Sequence, residues 1–273
     1  MGGTRVELTV ADGTAWITLD GPGRRNALDA VAAADLIAAC ERVDADAAIG
    51  AAVITGAEPG FCSGADTTVL DRLRDAGSDE AYEGLDELYA AFRRFGALAV
   101  PTVAAVNGPA VGAGVNLALA ADLRIVSDDA VFASGFSAIG LHPGGGHLHL
   151  LARAGGAALA AGMGVFGQPV DAQRAVASGL AWAAVPTADL RATATKVVAR
   201  LAADPALARA LAGTLRRTVC DAAEWDRAVE IERARQMWSL PRRRKPASGS
   251  RRASGSSPAV PAAQPEGPEE AQT

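Results

Sequence analysis

Cysteine is scarce in this chain of 273 residues: Cys40, Cys62 and Cys220 are the only three, and their spacing matches neither a disulfide framework nor a zinc site. Long uncharged apolar runs are also missing. Charges interrupt every candidate for the roughly 18-residue stretch that a bilayer span requires, so no membrane span is expected. The opening residues, MGGTRVELTV, lack a basic start followed by an apolar block, which argues against a secretory leader. Hydrophobic residues nevertheless make up 49% and charged residues 21%, enough apolar material for a sizeable core. These features exclude a secreted mini-domain and a fibrous repeat, and leave a cytoplasmic globular protein as the expectation.

The net charge of −5 is unevenly distributed. Residues 241–273 hold six basic side chains against three glutamates, a net of +3, which leaves the rest at −8. An acidic body offers no electrostatic footprint for nucleic acid. From Pro241 onward the composition is Pro, Ser, Gly, Ala, Arg and Glu, with Val260 the one large aliphatic residue. Such a segment buries too little apolar surface to offset its ordering entropy, so 241–273 is expected to be a disordered basic tail. The folded domain is then 1–240.

Within that domain, strand and helix patterns alternate. Arg5–Val10 and Ala15–Leu19 flank an Asp12-Gly13 turn suited to a hairpin. Helical periodicity spans Asp29–Val43 and Glu83–Leu98, while Ala51–Thr55, Val103–Val106 and Leu123–Val126 read as short buried strands. From Leu148 the pattern is almost wholly helical. The arrangement predicts an α/β fold built from βα units, with sites at the strand ends.

Two glycine-rich turns follow such strands. One is Phe61-Cys62-Ser63-Gly64-Ala65-Asp66. The other is Asn107-Gly108-Pro109-Ala110-Val111-Gly112-Ala113-Gly114, which runs into an apolar helix. Exposed backbone N–H groups at a helix start form an anion or oxyanion site, and small residues let a ligand reach the backbone.

Taken with RRNALD (24–29), AAVITGAEPGFCSGAD (51–66), VPTVAAVNGPAVGAGVNLALAADLRIVSDDAVFA (100–133), GLHPGGG (140–146) and QPVDAQRAVASGLAWAAVP (168–186), these turns resemble the crotonase family, also called enoyl-CoA hydratase/isomerase. The resemblance spans about 4–240. It implies a crotonase-like stack of ββα units (about 1–186), a helical C-terminal trimerisation region (187–240), a homotrimer or hexamer, and an acyl-CoA thioester as ligand, with no further cofactor and no metal. Carried over by position, it places oxyanion N–H donors at Ser63 and Ala113, and CoA contacts at Arg25, Ala27, Ala65 and Asp66. Two such donors typically stabilise an enolate-like charge by roughly 3–4 kcal/mol each.

The departures bear on the reaction. Family hydratases carry one glutamate three residues beyond the second donor, and another shortly before a GxxPGxGG segment. Asn116 and Phe136 stand at those positions, and neither can titrate. Hydration needs a base for water and an acid for the α-carbon, so ordinary hydratase chemistry is expected to be absent or badly impaired. All three histidines lie close together. His142, in the GLHPGGG loop, is the candidate substitute acid or base, whereas His147 and His149 read as structural residues of the next helix. Phe136 suggests an apolar or aromatic acyl group. The family's last helix is also unmatched beyond Glu224–Leu240. Three readings stay open: an enzyme of non-hydratase chemistry, an acyl-CoA-binding protein without turnover, and a residual hydratase.

Overall fold

The computed structural model describes residues 3–219 and 222–243. Its first half runs β1 (Arg5–Ala11), β2 (Thr14–Asp20), α1 (Ala30–Ala45), β3 (Ala51–Gly56), α2 (Thr67–Asp75), α3 (Ser78–Gly96) and β4 (Thr102–Val106). Then come β5 (Ala110–Val111), α4 (Ala113–Ala120), β6 (Leu123–Ser127), β7 (Val131–Ala133) and α5 (His147–Ala160). The remainder is β8 (Val170–Asp171), α6 (Ala172–Ala177), β9 (Ala183–Val185), α7 (Leu190–Ala202), α8 (Pro205–Thr218) and α9 (Ala222–Ser239).

The main sheet has the order β1-β2-β3-β4-β6-β9, with only the β1–β2 pair antiparallel. Asp12 and Gly13 close that hairpin with φ of 48° and 72°, the left-handed pair that a two-residue turn needs. Ala51 to Ile54 of β3 are fully buried, as expected of a parallel strand covered on both faces. Ala52 and Ile54 join the larger core with Leu28, Leu36 and Phe92. Ala51 and Val53 face the other way, onto Leu190, Ala194 and Val198 of α7. A second sheet, β5-β7-β8, sits beside α4.

Helix α4 carries the site. Every residue from Gly114 to Ala120 is buried, so it is a core helix and apolar on all sides but one, where Asn116 interrupts it. No side chain caps its N-terminus, which follows Gly112 at φ 54°.

Several expectations need refinement or correction. The stretch after Leu148 is almost wholly helical as expected, and the short β9 within it adds a sixth strand, parallel to β6. Three residues are too few for periodicity to register. The segment His147–Val165 is apolar enough to pass for a span, with mean hydropathy 1.3. It breaks at Gly156 (φ 82°, ψ 173°) and ends in a π-helical turn over Ala161–Val165. It packs against α4 and α9. The tail boundary at Pro241 also falls too early, since Leu240–Arg242 form a 3-10 turn and Arg243 is buried in an ion pair with Asp71. The rest of the expected tail, and Cys220, lie outside the described residues.

Candidate active site

A cavity of about 460 Å³ opens between the two glycine-rich turns, α3 and the 134–144 loop. Leu70, Leu85, Leu88, Ile139 and Leu141 give it apolar walls, and Arg24 and Arg25 lie in its lining. The volume and lining suit a small-molecule site.

The two turns are stitched together by backbone. Val111 N–H donates to Cys62 O at 2.9 Å, and Gly64, at φ 91°, is so close to the second turn that an added Cβ would lie 3.3 Å from Ala113 N. Which N–H groups remain for a ligand follows from the bonds around them. Ser63 N–H donates to Arg25 O at 3.0 Å, so it is not a free donor, and the expectation for Ser63 is corrected. Leu28 N–H donates to Gly64 O and Asp66 N–H to Leu28 O, both at 2.8 Å. This parallel bridge turns the N–H of the intervening Ala65 away from Leu28. Ala113 opens α4, and the carbonyl of Gly112 is taken by Val115 and Asn116. Among the described residues no hydrogen bond engages the N–H of Ala65 or Ala113, and both residues line the cavity.

Beside these donors lies a buried polar chain. Asn116 Nδ2 donates to Gly144 O at 3.0 Å, and Asn116 Oδ1 lies 2.7 Å from His147 Nδ1. His147 Nε2 is 2.7 Å from Ser134 Oγ. The reverse amide orientation would set Oδ1 against a carbonyl, so Oδ1 faces the imidazole and Nδ1 carries the proton. Nε2 is then a bare acceptor, and Ser134 donates to it. His147 is fully buried, and that burial lowers its pKa to about 3, so the ring is neutral. Phe136 sets its ring edge-on to the imidazole, 4.9 Å between centroids.

Glu232 of α9 accepts from His147 N–H at 2.7 Å and from Leu148 N–H at 2.9 Å, capping α5. Burial raises its pKa to about 6, against the lowering effect of those backbone donors. Tyr89 bonds Gln236, and both line the cavity. Thus α9 reaches the site that the sequence left open beyond Leu240.

The other expected residues divide. Ala27, Ala65, Asn116 and Phe136 line the cavity, and so does Arg25, which is exposed with φ 55°. Asp66 lines it too, but its carboxylate is committed to Thr68 N–H at 2.8 Å, the Thr68 hydroxyl at 2.6 Å and Arg24 at 3.1 Å. It caps α2 and is not free to bind a ligand. His142 is absent from the lining: its N–H donates to Ser239 Oγ at 2.8 Å and its Nδ1 meets Pro143 O. The catalytic expectation for His142 is therefore corrected: its ring stays on the adjacent Pro143 carbonyl outside the lining, and it is His147 that meets Asn116. Sequence reasoning missed Ser134, Tyr89, Glu232 and Gln236. A polar residue at each of positions 232, 236 and 239 on a helix with buried Trp225 and Val229 was the available signal. Cys62 is buried, its thiol pushed up to about 12 and so unreactive. Among the described residues no cluster of His, Cys, Asp or Glu is arranged to hold a metal.

The sequence model of the family described as enoyl-CoA hydratase/isomerase matches residues 9–246. A Mycobacterium tuberculosis protein named "Probable enoyl-CoA hydratase EchA14" is 46% identical over 176 residues, 64% of this chain and 68% of that protein. The 1,2-epoxyphenylacetyl-CoA isomerase of Escherichia coli K12 is 34% identical over 197 residues, 72% and 75% of the two chains. Among solved structures, an enoyl-CoA hydratase/isomerase from Xanthobacter autotrophicus Py2 superposes with a TM-score of 0.80 at 30% identity, covering 88% of this chain and 90% of that one. An enoyl-CoA hydratase from Mycobacterium avium subsp. paratuberculosis K-10 gives 0.74 at 33% identity, covering 86% and 93%. The fold, the paired turns and these matches agree: the chain belongs to the enoyl-CoA hydratase/isomerase family, the crotonases.

Proposed function

We propose that this protein is an acyl-CoA enzyme that polarises a thioester carbonyl between the backbone N–H groups of Ala65 and Ala113, and that its reaction is not hydration. The carrying observation is that both donors are unengaged and border one apolar-walled cavity. A preorganised pair of donors is worth most in such a low-dielectric site. The family relationship supports a CoA thioester as the ligand, with no cofactor besides it. Arg24 is tied to Asp66, which leaves Arg25 at the rim as the freer cation for a CoA phosphate. Leu85, Leu88, Ile139 and Phe136 suit an apolar or aromatic acyl group.

Against hydration stand Asn116 and Phe136. Neither takes or gives a proton usefully, and the Asn116 amide is already engaged by Gly144 and His147. Calorimetry with crotonyl-CoA, octanoyl-CoA and benzoyl-CoA tests the ligand class, and loss of the crotonyl-CoA enone absorbance tests the chemistry. Binding with negligible crotonyl-CoA turnover is expected. Absence of binding to all three, or hydration on the order of 10 s⁻¹, would refute the respective halves of the proposal. The same reading includes assembly of identical copies as a trimer or hexamer through the C-terminal helices.

A further inference from the structure

We propose that Ser134, His147 and Asn116 form a nucleophilic triad, and that the protein cleaves acyl-CoA thioesters through an acyl ester on Ser134. The inference rests on the acyl-CoA reading above and names the reaction at that site. The three side chains come from separate elements: Asn116 from α4, Ser134 from the loop after β7, and His147 from the first turn of α5. They lie in line, 2.7 Å between successive partners. Asn116 and Ser134 both belong to the cavity lining, and His147 stands behind them.

The direction of the hydrogen bonds is what a triad requires. Because Asn116 donates to Gly144 O, it accepts from His147 Nδ1, and this fixes the tautomer whose bare Nε2 receives the Ser134 proton. Nucleophile, base and orienting group thus occur in the same order of roles as in serine and cysteine hydrolases, here with a neutral amide as the third member. A structural explanation has less to offer. Apolar packing would fill the site without burying three polar side chains, and the N-terminal N–H groups of α5 are already capped by Glu232.

The chemistry closes without any further reagent except water. As Ser134 Oγ forms its bond to the thioester carbon, its proton passes to His147 Nε2, and the negative oxyanion that develops beside the ring offsets the burial cost that otherwise keeps His147 neutral. The oxyanion then rests on the N–H groups of Ala65 and Ala113. Its collapse breaks the C–S bond, and His147 returns the proton to the departing sulfur, giving the CoA thiol and an acyl ester on Ser134. Water attacks that ester and gives a proton to His147. His147 delivers it to Ser134 Oγ as the C–O bond breaks, releasing the carboxylic acid.

A fluorophosphonate probe reports the nucleophile independently of the acyl group, and thiol release from acetyl-CoA, octanoyl-CoA and benzoyl-CoA reports turnover. Covalent labelling mapped to Ser134, thiol release, and loss of both in Ser134→Ala by about a hundredfold or more are expected. His147→Gln should behave like Ser134→Ala. Asn116→Ala, which removes the acceptor that holds the His147 tautomer, should slow thiol release about tenfold or more while Ser134 is retained. A chain that binds these thioesters calorimetrically yet takes no label and releases no thiol would overturn the triad while leaving the ligand assignment intact. Labelling of Ser134 in a chain that binds none of the thioesters would overturn the thioester step together with the reading beneath it.

Discussion

Asn116 shows how the choice of one side chain sets what the cavity can do. A carboxylate at that position on α4 would be a base in the cavity, whereas the amide ties the Gly144 carbonyl to the His147 ring. His147 in turn carries a measurable signature. The unfolded chain protonates this ring below about 6.5, the folded one only below about 3. Between those values unfolding takes up a proton, so each unit of acidification weakens the fold about tenfold. Glu232 acts in the opposite sense. Its folded carboxyl holds a proton up to about 6, against 4.5 when unfolded, so acidification from 6 to 4.5 strengthens the fold. In the parent protein the two contributions offset each other across that interval. In Glu232→Gln the offset is gone, and the urea midpoint should fall more steeply from pH 6 to 4.5 than in the parent. Parallel curves for the two proteins would show that Glu232 does not titrate there.

At the scale of elements, α9 fastens the loop that shapes the cavity. Trp225 stacks on Phe92 and donates from Nε1 to Gly145 O at 3.1 Å, while Ser239 accepts from His142 N–H. Replacing Trp225 by Ala should cost about 3–5 kcal/mol in urea denaturation and weaken acyl-CoA binding, because the 144–146 turn loses its anchor. A cost under about 1 kcal/mol would mean that α9 is not an anchor. The strands and glycine turns were readable because their signals are local: AAVIT is apolar on both faces, and Asp12-Gly13 is a hairpin turn by its own chemistry. Ser63 was assigned in place of Ala65 because Gly64, at φ 91°, lies between them and breaks the regular alternation, and only the passing segment of residues 25–28 decides which N–H is engaged. The Ser134–His147–Asn116 chain was unreadable for a similar reason. It depends on loop turns at Gly145 and Gly146, both at positive φ, that bring the start of α5 against α4. The contacts of α9 bridge residues 80 or more apart, beyond the reach of any local pattern.

For the whole molecule, the outer face of α8 bears on assembly. Leu207, Leu211 and Leu215 follow one another at four-residue spacing and are 40–53% exposed, with Val219 exposed just beyond the helix. A stripe of this kind on a helix is what a second copy of the chain would cover. Light scattering should give a trimer or hexamer, and Leu211→Glu should shift it toward smaller species. A clean monomer near 27.6 kDa at micromolar concentration would contradict this.

If the N–H groups of Ala65 and Ala113 polarise a thioester carbonyl, the carbonyl stretch of a bound acyl-CoA labelled with carbon-13 at that carbon reads this directly. Two backbone hydrogen bonds weaken the C=O bond, so difference infrared spectra should place the bound band clearly below that of the free thioester in water. A bound thioester whose band stays at or above the free position would show that these two N–H groups do not polarise the carbonyl.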